Sequence, residues 1–454
     1  MPNPMLGMRG SGDFSTNEPI ENWQEYILRE RPNGSVPLYA MSAMLPQESV
    51  DRTTFGWFTE ELPGQAATVT GIYINSSLTA AYVYATHSGT YGAVGGVVYV
   101  KVAEAEAKYF RTYHDVVLRE SAYPIGNGVG AEVLDVVLNG DSSYLVCKLI
   151  EADGSYTSPT DHNLTDVDRV TISTTTMPEA SSPPDPISAK PDEYTNNTHI
   201  QRETFELSGT AMATAIRTGV PYQLDKERCL DRYSMGREMA YFFSRQREWV
   251  AANGKKKRSM TGIIPWVRAN SGNVSDFRTA TDTDIESIGS IEGKKWIQSG
   301  MDWLEFWVYK IFRYMAANGK SEVMAFGGDA VLRAINQLIR VNSHYSISRG
   351  ELGYGIKVAV IETTAGIVYF KNHPLFNREA SLRNMSLWMH PENFRGVYLE
   401  ANGENRNTKF QEDMQAPGQD ATLDGYMSET SCKMFFPKQW ALLGGFGADN
   451  TVGT

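Results

Sequence analysis

Between residues 224 and 250 the chain reads LDKERCLDRYSMGREMAYFFSRQREWV, and its apolar positions recur at helical spacing. Met235, Met239, Phe242, Gln246 and Trp249 fall three or four apart, which lays them on one face. Leu230, Tyr233, Ala240 and Tyr241 line a second. Pro221 suits a first turn, where its missing N–H costs nothing. Asp225–Arg228, Arg228–Asp231 and Arg245–Glu248 set opposite charges at i,i+3. Ala251-Ala252-Asn253-Gly254 supplies a left-handed residue to close the element. The pattern predicts one helix over about 222–252, roughly 40 Å long. Core packing is its ordinary use, because the apolar spacing is too irregular for heptads.

Upstream the period changes. The runs ATVTGIYI, GVVYVKV, DVVLRE, AEVLDVVLN, SYLVCKLIEA and DRVTIST alternate with Gly, Asn and Asp turns. Short β-branched runs at such spacing predict a small barrel or sandwich, followed by a Pro-rich exposed linker, SSPPDPISAKPDEY. Phe55 and Trp57 lie on one side of an extended run, as do Phe205 and Leu207. These are expected to form two legs of one long hairpin with the β domain at its far end. Nearer the start, Ile20, Trp23, Ile27 and Leu28 form a helical stripe closed by Pro32-Asn33-Gly34. The stripe is too small to bury itself, so it is expected to dock elsewhere on the molecule or on a neighbour.

Downstream, GMDWLEFWVYKIFRYMAANG carries Trp303, Phe306, Trp307, Ile311, Tyr314 and Met315 on one helical face. EVMAF reads as a strand and Gly327-Gly328 as a turn, with Asp329 capping a further helix. The runs 354–373 and 380–400 read as two pairs of strands. Helices and antiparallel strands are largely segregated, which makes the class α+β. Lys255, Lys256, Lys257 and Arg258 form a basic run, read either as a solvated loop or as a contact for an acidic neighbour or nucleic acid.

The formal charge of −11 argues against a surface that grips nucleic acid throughout. No run reaches the roughly 18 apolar residues that a membrane span needs. Cys147, Cys229 and Cys432 are odd in number and far apart, so they imply neither a disulfide framework nor a zinc site. GxxxxGK[ST], HExxH, CxxC and GxSxG are all missing from the sequence. GNGVGA at 126–131 precedes a β-rich run rather than opening a helix, so a plain turn is the better reading. The seven histidines lack ligand spacing, and His373-Pro374 and His390-Pro391 read as exposed turns. Catalytic, cofactor and metal residues are therefore expected to be none.

The order of parts, and the segments GSGDFSTNEPIENWQEYIL, QRETFELSGTAMATAIRTG, SGMDWLEFWVYKIFRY and YGIKV…FKNHPLFN, resemble the major capsid proteins of tailed bacteriophages. The resemblance runs over nearly the whole chain. It is to the subfamily of the Hong Kong 97-type fold that carries a β domain in its extended loop. It implies an N-terminal arm at 1–48 and an extended loop at 49–208 with the inserted β domain at about 65–178. A peripheral domain would follow at 209–296, with a spine helix at about 222–252. The axial domain would begin at 297–350, peripheral strands would occupy 351–420, and strands at 421–454 would return to the axial domain.

The implied function is mechanical. Copies would assemble in the host cytoplasm as hexamers and pentamers of an icosahedral head, enclosing double-stranded DNA without sequence-specific contact. A portal, a separate scaffold protein and decoration proteins are the implied partners. Trp23, Ile27, Leu28, Phe55, Trp57, Lys255, Lys256, Lys257 and Arg258 are the candidate intersubunit contacts. A tail or decoration component is the competing class.

Overall fold

The alternation read between residues 66 and 175 closes into a barrel. In the computed structural model, which describes residues 47–60, 64–121, 128–154, 164–181, 186, 191–214, 220–286, 289–314, 322–341, 348–352 and 356–452, the chain divides into two compact units. One comprises 58–192 and the other 1–57 with 193–454.

In the first of these, six strands pair in the closed order Ala66–Tyr73, Val97–Val102, Tyr144–Leu149, Val129–Val137, His114–Arg119, Arg169–Thr175. Alternate residues point inward, as a two-residue period requires. Val98, Val100 and Val102 meet Leu145, Cys147 and Leu149, with Val129, Ala131, Val116, Leu118 and Val170 completing the interior. Closure leaves the barrel without a free edge strand.

Among the described residues, the second unit holds two large sheets. In one, Gln47–Val50, Phe394–Ala401, Ala421–Met434 and His199–Ser208 lie side by side, the first pair parallel and the others antiparallel. A helix at Pro221–Phe243 lies against its last two strands. Cys229, Tyr233, Arg237 and Tyr241 form its buried row at i+4 spacing, with Glu238 and Phe242 beside them. Gly236 permits this approach, because a Cβ there would stand 2.7 Å from Gln201 Nε2. That amide instead donates to the Tyr233 carbonyl at 2.8 Å.

The helix is shorter than the periodicity implied. It stops at Phe243, where Ser244 turns extended at ψ 146°, and the expected span to 252 is corrected. Residues 247–259 are instead an antiparallel ribbon, Arg247–Val250 paired with Lys256–Ser259. Gly254, at φ +73°, turns the ribbon rather than closing a helix. Met239 and Trp249, placed on the apolar face by spacing, are 46% and 41% exposed.

The other sheet runs Val274–Asp276, Ala441–Gly444, Ser386–Met389, Glu322–Gly327, Ile367–Asn372, Ile356–Glu362, Ser348–Leu352. Helices Trp296–Phe312 and Asp329–Val341 pack with it. Their core is aromatic: Phe277 meets Trp296 edge-on at 5.0 Å between ring centroids, and Trp303 meets Phe446 edge-on at 5.6 Å. Gly328 admits the chain between strand and helix, since a Cβ there would meet the Arg383 carbonyl oxygen at 2.5 Å.

Sheet membership departs from three expectations. The leg containing Phe55 and Trp57, Thr54–Thr59, pairs with Asp192–Asn197, whereas Phe205 and Leu207 sit in a strand paired to Ala421–Met434. The strands expected to pair within 380–400 fall in different sheets, separated by His390-Pro391. Boundaries at 351 and 421 do not follow the sheets either. Strands from 348 to 389 join helices 296–312 and 329–341, while 421–434 lies in the long helix's sheet and only 441–444 crosses back. The architecture is mixed α+β with a small closed barrel.

Candidate assembly surfaces

Trp23, Ile27 and Leu28 lie outside the described residues. Phe55 and Trp57 lie together, ring centroids 6.2 Å apart, but only Phe55 is half-exposed. Trp57 is buried in its own chain: its Nε1–H donates to the Met434 carbonyl at 2.9 Å, and Tyr194 stacks on it at 6.1 Å. The expectation that Trp57 awaits a neighbour is corrected, because its ring and its donor are both satisfied within the subunit. Its sequence neighbour Phe58 points the other way and is 64% exposed. Strand alternation could have found this, since Trp57 inward places Phe58 outward.

A polar seam runs beside Phe55. Glu48 receives Lys433 Nζ at 2.6 Å and also pairs with Arg395. Burial pushes the Glu48 carboxyl up, but the hydrogen bonds and charges of Lys433 and Arg395 outweigh it and hold the group below its ordinary value. Lys433 also sits 5.8 Å from the Phe55 ring, and Arg395 5.3 Å from that of Phe435.

Lys256, Lys257 and Arg258 lie in a strand of the exposed ribbon, and Lys255 precedes it in the turn. Lys256 and Arg258 reach the same carboxylate, Glu248, at 2.7 and 3.0 Å. Their hydrogen bonds hold the Glu248 carboxyl below its usual range. Lys257 lies 5.3 Å above the Trp249 ring. Val250 is 67% exposed beside them. Sequence reasoning missed Trp249 and Val250 as surface residues because helical spacing absorbed them.

Two histidines read as exposed turns are buried. His373 accepts from Leu375 N and His390 from Glu392 N, each through Nδ1, so both cap short turns that open with proline. The three cysteines are free and buried. Among the described residues, no three His, Cys, Asp or Glu gather where they could hold a metal ion, and no helix is long and apolar enough to cross a membrane.

A sequence model of the SU10 major capsid protein family matches residues 2–446. The chain belongs to that family. It is a phage major capsid protein, a structural component of the virion capsid. The family is structural rather than a class of enzymes. A curated relative, the major capsid protein of Pseudomonas phage PaMx41, is 22% identical over 355 residues, covering 77% of this chain and 72% of the relative. Among solved structures, one of Microbacterium phage Oxtober96 is similar at TM-score 0.40 and 9% identity, over 94% of this chain and 96% of its own. One of Mycobacterium phage Cain is similar at TM-score 0.38 and 8% identity, over 96% and 95%. For a capsid protein the surfaces of interest are those that meet other copies, and the ribbon and the Phe55/Phe58 strand are the apolar ones described above.

Proposed function

We propose that copies of this SU10-family capsid protein associate as hexamers and pentamers and close an icosahedral head of the Hong Kong 97 type around double-stranded DNA. The supporting observation is large apolar side chains left in water on slender two-stranded elements: Phe58 at 64%, Val250 at 67% and Trp249 at 41% exposure. Exposed aromatics on projecting strands are the usual raw material of an interface. At about 25 cal/mol per Å² of apolar surface, modest contacts add up when each subunit makes several.

In this reading the strand pair 54–59 and 192–197, with the barrel, forms the extended loop. The long helix and its sheet form the peripheral domain, and the seven-stranded sheet with its two helices forms the axial one. The chain works with a portal, a separate scaffold protein and decoration proteins. Electron microscopy of purified protein, with and without scaffold, is the test. Closed shells or six- and five-fold capsomers are expected; monodisperse monomers even with scaffold would point to a tail or decoration component.

A further inference from the structure

We propose that the ribbon 247–259 is the dock for the acidic N-terminal segment, residues 13–28, of a neighbouring copy of this chain. The proposal deepens the shell-building reading and rests on it.

The ribbon's register sets its chemistry. Trp249 pairs with Lys257 and Arg247 with Ser259, so these four share one face; Val250 with Lys256 and Glu248 with Arg258 share the other. Glu248 neutralises Lys256 and Arg258. Arg245, Arg247, Lys255 and Lys257 are exposed and have no carboxylate partner among the described residues. Lys257 also helps hold His199 below its ordinary value, after burial, which places its charge beside the start of strand His199–Ser208. There Ile200 is 54% exposed, next to a ribbon that carries Trp249 and Val250. The face that carries Arg247, Trp249 and Lys257 is therefore apolar and cationic at once. A phosphodiester backbone would use its cations but not the neighbouring Ile200.

Residues 13–28, DFSTNEPIENWQEYIL, are the complement. Asp13, Glu18, Glu21 and Glu25 are accompanied by no Lys or Arg, and Ile20, Trp23, Ile27 and Leu28 recur at helical spacing. The segment offers an apolar stripe flanked by negative charge to a ribbon of opposite sign.

Topology permits a neighbour's ribbon, and the shell-building reading selects it. The chain leaves the N-terminal segment at Gln47–Val50, one edge of the first sheet, and the ribbon lies against His199–Ser208, the opposite edge. Ser49, Tyr398, Thr430 and His199 form one row across those four strands, about 14 Å at about 4.8 Å per strand. Docking one edge's segment on the other edge of the next copy is a head-to-tail contact, the kind that closes rings. The linker 29–46 spans up to about 60 Å when extended, enough to reach a neighbour.

The test is photocrosslinking in assembled shells of the full chain, with a benzophenone amino acid replacing Trp249. Formation of shells checks the shell-building reading independently. A crosslinked pair of subunits, in which a peptide from 13–28 is joined to one from 247–259, is expected. A crosslink to DNA, to another region, or within a single subunit overturns the proposal. In parallel, Lys255→Glu with Lys257→Glu should lower shell yield about tenfold, and adding Glu21→Lys with Glu25→Lys should restore it to within about twofold. An unchanged yield on the first reversal, or no rescue by the second in a chain whose unfolding curve is unaltered, also overturns it.

Discussion

Glu238 Oε1 lies 2.7 Å from His373 Nε2, and both side chains are fully buried. One comes from the last third of the long helix and the other from the turn after strand Ile367–Asn372, so the bond ties the helix to the seven-stranded sheet. His373 Nδ1 accepts from Leu375 N at 3.2 Å, which leaves the proton on Nε2 to donate to the carboxylate. Removing either side chain takes a hydrogen-bond partner from the other at a fully buried position. Glu238→Ala and His373→Ala should each lower the stability of the unassembled subunit by about 3–5 kcal/mol in urea unfolding. Glu238→Gln keeps an acceptor and should cost clearly less than Glu238→Ala. Equal losses from the two substitutions at 238 would show that the bond is not what holds the helix there.

The Phe242 ring is the packing counterpart of that bond. It meets His373 at 4.7 Å and Phe376 at 5.4 Å between centroids, with no exposed surface. Phe242→Ala should cost about 3–5 kcal/mol, whereas Met239→Ala, at a 46% exposed site, should cost under about 1 kcal/mol. The comparison is made on melting curves of the unassembled subunit, and similar losses at both positions would refute the assignment of the buried face.

Acid should loosen the attachment of the edge strand Gln47–Val50. Glu48 is held below its ordinary value by Lys433 and Arg395 in spite of burial. A depressed carboxyl contributes stability that is fully present above the unfolded value, about 4.5, and is lost as pH falls through the folded one. Glu48→Gln should therefore flatten the stability profile below about pH 4.5, while lowering stability by about 1 kcal/mol near neutrality. A variant whose acid sensitivity matches the parent's would rule this linkage out.

The barrel unit should fold by itself. Residues 58–192 have their own closed core, and Cys147 in its centre is fully buried, with its thiol pushed up to about 12 by that burial. Expressed alone, the unit should give dispersed amide resonances. Its cysteine should react with alkylating reagents at pH 8 only as fast as the unit unfolds. Prompt labelling in water would mean the barrel needs the rest of the chain.

What could be read in advance follows the range of the interactions. All six barrel strands were visible because inward Val, Ala and Leu alternate with polar residues over five or more positions. The end of the long helix was not, because Gln246 and Trp249 continue the three-and-four spacing by coincidence after the backbone has turned at Ser244. The partner of the Trp57 indole lies 377 positions away at Met434, a distance no local period encodes. His373 and His390 looked like surface turns by composition, yet both are buried, His373 among aromatic rings and the Glu238 carboxylate from other elements. Among the contact candidates, charge runs were legible as charge. Their pairing with Glu248, and the exposure of Val250, required the ribbon.

The barrel's first strand lies beside its last, Ala66 opposite Thr171. A chain that enters and leaves by adjacent strands imposes almost no spacing on whatever carries it. Such a module can be shortened, exchanged for another closed domain or replaced by a tight turn while its flanking strands keep their register. Closed domains whose first and last strands are neighbours are therefore the natural replacements to insert there.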